Sequence, residues 1–181
     1  MHCTRFLAEA DQVVKSLNND KISVKIIRGD ELRDQGFGGL FSVGQASVEP
    51  PALCVLSFIA NNDPQTKNIC LVGKGIVYDT GGLSIKSKTG MPGMKHDCGG
   101  AAGLLYGWKN IVQQEPNVNV HVLLCLAENS VASNATRPDD VITMYSGKTV
   151  EINNTDVSIL KKRRFWMFFG TKIQLETIYF T

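Results

Sequence analysis

No stretch of this 181-residue chain is apolar for long enough to cross a bilayer, and its first residues, Met1-His-Cys-Thr-Arg-Phe-Leu, hold no apolar run of signal-peptide length. A cytoplasmic protein with no membrane partner is the expectation. An excess of charge is missing too. A formal net charge of +2 does not supply the concentrated basic face that nucleic acid requires, so no nucleic-acid partner is expected. No Cys-x-x-Cys spacing occurs. The five cysteines (Cys3, Cys54, Cys70, Cys98, Cys125) are odd in number and widely spread, and several sit inside apolar runs, which reads as reduced, buried thiols. The glycine cluster Gly36-Phe-Gly-Gly39 lacks the dinucleotide-binding spacing, because Phe41 occupies the position of its last glycine. Internal repeats and low-complexity segments are absent. The two Asn-x-Thr sequons, at Asn134 and Asn153, would matter only in a secreted protein.

What is present is the composition of a soluble globular domain, 43% hydrophobic and 20% charged. Residues 6–17 place Phe6, Leu7, Ala10, Val13, Val14 and Leu17 at helical spacing, ended by Asn18-Asn-Asp20. A strand-like run at 22–27 and a brief helix at 30–34 follow, the helix stopped by the glycine cluster at 36–39. Pro50-Pro51 opens a strand at 52–58, residues 61–64 make a turn, and the apolar run 68–72 delivers Lys74 at its end. Residues 99–112 read as a helix and 118–126 as a buried strand. Strands alternating with helices predict an α/β domain.

The chemistry is concentrated in two glycine-rich stretches and one short polar one. Val72-Gly-Lys-Gly-Ile-Val-Tyr-Asp-Thr-Gly-Gly82 carries Lys74 and Asp79, Lys95-His-Asp-Cys-Gly-Gly-Ala-Ala102 carries Asp97, and Asn153-Asn-Thr-Asp156 ends on a further carboxylate. Gly73 and Gly75 beside Lys74, and Gly81-Gly82 after Asp79, allow sharp turns that gather side chains around one point. Taken singly, these residues are ordinary strand-end, turn or cap residues. Together they form an oxygen-rich set with one amine, suited to divalent cations. A lysine ligates only as the neutral amine, a form that a neighbouring dication favours.

These segments, with 36–44, Ser84-Ile-Lys86, 91–102, Ala127-Glu-Asn129, Arg137-Pro-x-Asp-Val141 and 147–156, resemble the catalytic domain of the leucyl (cytosol) aminopeptidase family, closest to its leucyl-aminopeptidase-like branch. The resemblance runs from the first helix to Asp156, and with it the fold is expected to be α/β, a mixed sheet with helices on its faces. It implies a two-metal exopeptidase, using zinc or manganese, that removes the N-terminal amino acid from peptide substrates, and a homo-oligomer, hexameric in the family. By that similarity Lys74, Asp79, Asp97 and Asp156 match metal ligands, with Asp79 bridging the two ions. Lys86 matches the catalytic lysine that stabilises the oxyanion, and Met94 matches a residue of the pocket for the substrate's first side chain. His96, next to Asp97, matches no ligand position and is read as a packing or hydrogen-bonding residue.

After Asp156 the sequence departs from that pattern. Ser158 stands where a metal-bridging glutamate is expected and Leu160 where a bicarbonate-holding arginine is expected. The resemblance therefore implies one weakened metal site rather than two. It divides the chain into a partial catalytic domain, 1–156, and a divergent tail, 157–181. The tail's basic run 161–164 reads as a solvated charge cluster, and its aromatic run 165–169 as an aggregation liability beside an incomplete sheet with open edges. The alternative expectation is a non-catalytic truncated isoform that binds full-length subunits or is degraded.

Overall fold

The computed structural model describes residues 1–156 and the backbone of a strand at 177–180. Helices α1 (Cys3–Leu17), α2 (Asp30–Asp34), α3 (Gly38–Gly44) and α4 (Gly99–Val112) surround strands β1 (Ile22–Arg28), β2 (Ala52–Phe58), β3 (Asn68–Asp79), β4 (Asn119–Asn129) and β7 (Thr177–Phe180), while β5 (Val141–Thr143) and β6 (Thr149–Glu151) form a separate two-stranded ribbon. The main sheet runs in the order β1-β2-β4-β3-β7. Its β1-β2 and β2-β4 pairs are antiparallel and its β4-β3 and β3-β7 pairs parallel, so the sheet is mixed, as expected with the family resemblance.

Both faces of the sheet are covered by helices. On one face α1 and α4 seal Cys54, Leu56, Leu71, Val122 and Leu124. Trp108 is fully buried there and donates its indole N–H to the Val120 carbonyl at 3.0 Å, which satisfies the one polar atom it carries inward. On the other face Leu32 of α2, Phe37 just before α3 and Leu40 of α3 cover Ile27, Leu53, Val72, Leu123 and Cys125. Helix α1 starts three residues earlier than its apolar spacing suggested. Cys3 continues the buried stripe of Phe6, Ala10 and Val13, and His2 caps the helix by accepting from the Arg5 N–H at 3.4 Å. The helix ends at Asn18, whose left-handed backbone, tolerated by its short polar side group, closes the last turn.

Two sequence readings change. The glycine cluster does not simply end a helix. It also opens α3, because a Cβ at Gly38 would collide with the Thr143 carbonyl of β5, so glycine is demanded there by close backbone approach. Nor does Lys74 stand at a strand end. Strand β3 continues to Asp79, and Gly73 and Gly75 are extended residues rather than turn residues. A Cβ on Gly73 would lie 2.7 Å from the Ala101 Cα, and one on Gly75 3.1 Å from the Ala101 Cβ; both glycines let the first turn of α4 press onto the strand.

All five cysteines are free thiols; four are buried and Cys98 is half-buried, so the expectation of burial is corrected for Cys98, which precedes α4 at its exposed end. Burial pushes the thiols of Cys3, Cys54, Cys70 and Cys125 up to about 12. No described helix is long and apolar enough to cross a membrane. Within the tail, β7 pairs with β3 alongside Ile69 to Val72 and is itself the edge strand on that side of the sheet. Ser158, Leu160 and the basic and aromatic runs at 161–164 and 165–169 lie outside the described residues.

Candidate active site

Lys74 and Asp79 are five residues apart on β3, an odd spacing that would put them on opposite faces of a regular strand. The pairing with β4 slips between Ile76 and Asp79: Ile76 faces Ala127 and Asp79 faces Asn129, three steps on one strand against two on the other. That extra residue rotates Asp79 onto the face of Lys74 and Ile76. The chain then reverses through Gly81 and Gly82, whose φ angles of +87° and +64° suit glycine alone. A side chain at Gly82 would also lie 2.9 Å from Asn129 Oδ1 and 3.0 Å from Thr155 Oγ1. The reversal returns Lys86 toward the strand it left, with its N–H donating to the Thr80 carbonyl at 2.9 Å.

Lys86 carries its ammonium to two carboxylates: it lies 3.5 Å from Asp79 Oδ2 and donates to Asp156 Oδ1. Burial alone lowers the Lys86 pKa, but the hydrogen bond to Asp156 and the nearby charge of Asp79 outweigh it and hold the ammonium above the ordinary lysine range. Asp79 is 3% exposed, and its other oxygen accepts from the Gly81 N–H and from Asn129 Nδ2, each at 2.9 Å. Asp97 follows the short 3-10 turn Met94–His96, and its Oδ2 lies 2.7 Å from Lys74 Nζ. Asp97 Oδ2 is buried, and the Lys74 ammonium is the cation it faces. His96 turns its Nδ1 back to the Gly93 carbonyl.

The predicted residues are thus assembled as two ion-paired groups, Lys74 with Asp97 and Lys86 with Asp79 and Asp156. Three carboxylates face two ammonium groups, which leaves one net negative charge in a largely buried place. Among the described residues no point gathers three or more His, Cys, Asp or Glu side chains. The donor set still fits a divalent cation. Its carboxylates already converge on positive charge, the lysine ammonium groups stand where a cation is attracted, and the Asp97 oxygen turned to Lys74 is buried. Met94 is half-buried beside the Lys74–Asp97 pair in sequence, but it does not line the neighbouring cleft formed by Ser42, Val43, Asn129, Ala135, Ile152 and Thr155.

The supporting polar residues escaped sequence reasoning in their roles. Thr155 Oγ1 donates to the Gly81 carbonyl at 2.7 Å and accepts from the Ser84 N–H at 2.7 Å, and the Thr155 N–H donates to Ser84 Oγ at 3.2 Å. Seventy-odd residues of sequence separate these partners, so only its place next to Asp156 could have pointed to Thr155.

Comparison with known proteins is consistent with this geometry. Residues 1–158 match the catalytic domain of the cytosol aminopeptidase family. The chain is 56% identical over 156 residues to the Homo sapiens protein "Probable aminopeptidase NPEPL1", covering 86% of this chain and 29% of that protein. It is 52% identical over 149 residues to leucine aminopeptidase 1 of Caenorhabditis elegans, covering 82% and 30% respectively. The solved structure of the nematode enzyme superposes with a TM-score of 0.77 at 49% identity, over 83% of this chain and 30% of that one. The bottromycin maturation enzyme BotP, solved in complex with Mn, gives 0.77 at 31% identity, over 88% and 33%. The chain therefore spans about 30% of the length of the curated relatives it matches. On the matched residues and this shared fold, the chain belongs to the cytosol aminopeptidase family.

Proposed function

We propose that this polypeptide holds a metal-dependent aminopeptidase site acting on the N-terminal residue of peptides, in weakened form. The observation that carries this reading is the gathering of Lys86 with Asp79 and Asp156, from three separate segments, beside the Lys74–Asp97 pair. Lys74, Asp79 and Asp97 would hold one ion, zinc or manganese, and Asp79 and Asp156 would contribute to a second, weaker position. A bound divalent ion supplies Lewis acidity toward the scissile carbonyl and acidifies water. Lys86 supplies the remaining cation, placed to stabilise negative charge developing on the carbonyl oxygen. Asp79 and Asp156 keep that ammonium in place and protonated until substrate arrives. Met94 contacts the first side chain of the substrate. The cytoplasm is the proposed location and a homo-oligomer, hexameric as the resemblance implies, the proposed assembly. Residues 1–156 are proposed as a partial catalytic domain and 157–181 as a separate tail.

Ser158 and Leu160 weaken the site, since a neutral hydroxyl and an aliphatic side chain replace a carboxylate and a guanidinium. Losses of supporting groups around a metal cost about 10–100-fold in affinity or activity, and the loss of a bridging carboxylate costs more. Slow hydrolysis of leucine amide in the presence of Mn²⁺ or Zn²⁺ is expected, and Asp79→Asn should abolish it. Hydrolysis that persists in Asp79→Asn would show a contaminating or different activity. The replacements at 158 and 160 also favour a second reading, a non-catalytic chain that joins full-length subunits of a relative. Mixing the chain with such a relative and following the assembly by light scattering tests it; no co-assembly sinks that reading.

A further inference from the structure

Asn129 belongs to a motif that the aminopeptidase reading leaves without a role, yet it joins three separate segments of the site. Its Nδ2 donates to Asp79 Oδ1 at 2.9 Å and to the Thr155 carbonyl at 3.1 Å, and its own backbone carbonyl accepts from the Thr80 N–H at 3.0 Å and from Thr80 Oγ1 at 2.7 Å. A carboxylate oxygen and a carbonyl oxygen both only accept, so the amide nitrogen must be the atom turned toward them. The end of β4 thereby holds the last residues of β3 and the 153–156 segment in one arrangement. Asp79 has two donors on Oδ1, Asn129 Nδ2 and the Gly81 N–H. The Thr155 carbonyl precedes Asp156 directly, so the same amide sets where the Asp156 side chain starts.

We infer that Asn129 is the positioning residue for the Asp79 and Asp156 carboxylates, fixing their mutual orientation toward a shared divalent cation. The inference rests on the metalloaminopeptidase reading and adds to it the residue that makes the two carboxylates act as a pair. Leucine at 129 keeps the size of the side chain and removes both donors. Asp79 then retains one donor on Oδ1, the 153–156 segment loses its tie to β4, and the carboxylates must be ordered by the ion itself. Loss of an orienting partner around a metal costs about 10–100-fold in affinity.

The test is titration of the full 181-residue chain with Mn²⁺, reading free Mn²⁺ by electron paramagnetic resonance, with circular dichroism to show that each variant is folded. Asn129→Leu is expected to bind Mn²⁺ at least about 10-fold more weakly than the unaltered protein. Val13→Ala is the structural comparator. It trims a buried side chain of α1 in the apolar layer, away from Asn129, Asp79 and Asp156, so it should lower thermal stability while keeping Mn²⁺ affinity within about 3-fold, below the range expected for a lost orienting partner. Should Asn129→Leu not fold, Asn129→Ser, whose single hydroxyl reaches one partner at most, should show an intermediate loss. Unchanged affinity in the Asn129 variants, or an equal loss in Val13→Ala, overturns the positioning role and leaves the metal-site reading standing. No Mn²⁺ binding by the unaltered protein overturns both.

Discussion

At the scale of single residues, polar side chains inside this fold are held by specific partners, and His121 shows how that couples to pH. Its Nδ1 faces Ser57 Oγ at 2.9 Å and its Nε2 faces Asn68 Oδ1 at 3.2 Å. Because Asn68 Oδ1 only accepts, Nε2 carries the proton and Nδ1 accepts from the serine hydroxyl. Burial lowers the His121 pKa below its usual 6.5, which favours the neutral ring. The unfolded chain therefore binds the proton first as pH falls. The stability tied to this residue is complete above about pH 6.5 and is lost as pH drops from there through the lowered folded value. Denaturant melts between about pH 8 and 5 should show that limb, and His121→Gln should flatten it; an unchanged slope would mean that other groups govern acid sensitivity.

At the scale of elements, β3 combines two features that serve the site. Its one-residue slip against β4 turns Asp79 to the side of Lys74, and its glycines at 73 and 75 accept α4 at close range. Gly73→Ala would push a methyl group to within 2.7 Å of the Ala101 Cα and 3.0 Å of the Ala101 N–H nitrogen, both backbone atoms that cannot swing aside. Overpacking of this kind costs about 1–3 kcal/mol. Chemical denaturation should report a loss in that range, with α4 and Asp97 displaced from Lys74. A neutral result would mean that α4 shifts freely on the sheet.

On the scale of the whole molecule, two apolar layers on either face of the mixed sheet bury four of the five cysteines. The thiolate is the reactive form, so thiols pushed up to about 12 are both inaccessible and unreactive near neutral pH. Iodoacetamide at about pH 8 should label Cys98 first in the folded protein and reach Cys3, Cys54, Cys70 and Cys125 only after denaturant is added. Mass spectrometry of tryptic peptides checks this, and rapid native labelling of Cys54 or Cys125 would show that the core opens readily.

Much of the architecture was legible in the sequence because apolar spacing is a local property: the strands at 52–58 and 22–28 and the helices α1, α2 and α4 follow the periodicity of their own residues. Residue types at the site were legible for the same reason, as Lys74, Asp79, Asp97, Lys86 and Asp156 stand in short, unusual strings. Their partners were not. Glycines around Lys74 read as a turn, yet they serve the packing of a helix that begins more than twenty residues later. The helix α3 inside a glycine cluster depends on contact with β5, about a hundred residues away. The pairing of Lys86 with both Asp79 and Asp156, and the amide of Asn129 between two segments, depend on a register slip and on backbone reversals that no local pattern encodes. Sequence by itself determined which elements form and which chemistry is on hand, because propensity and apolar period act over a few residues. Only the tertiary structure decided which charges meet, because that is set by backbone approach and strand register between segments distant in sequence.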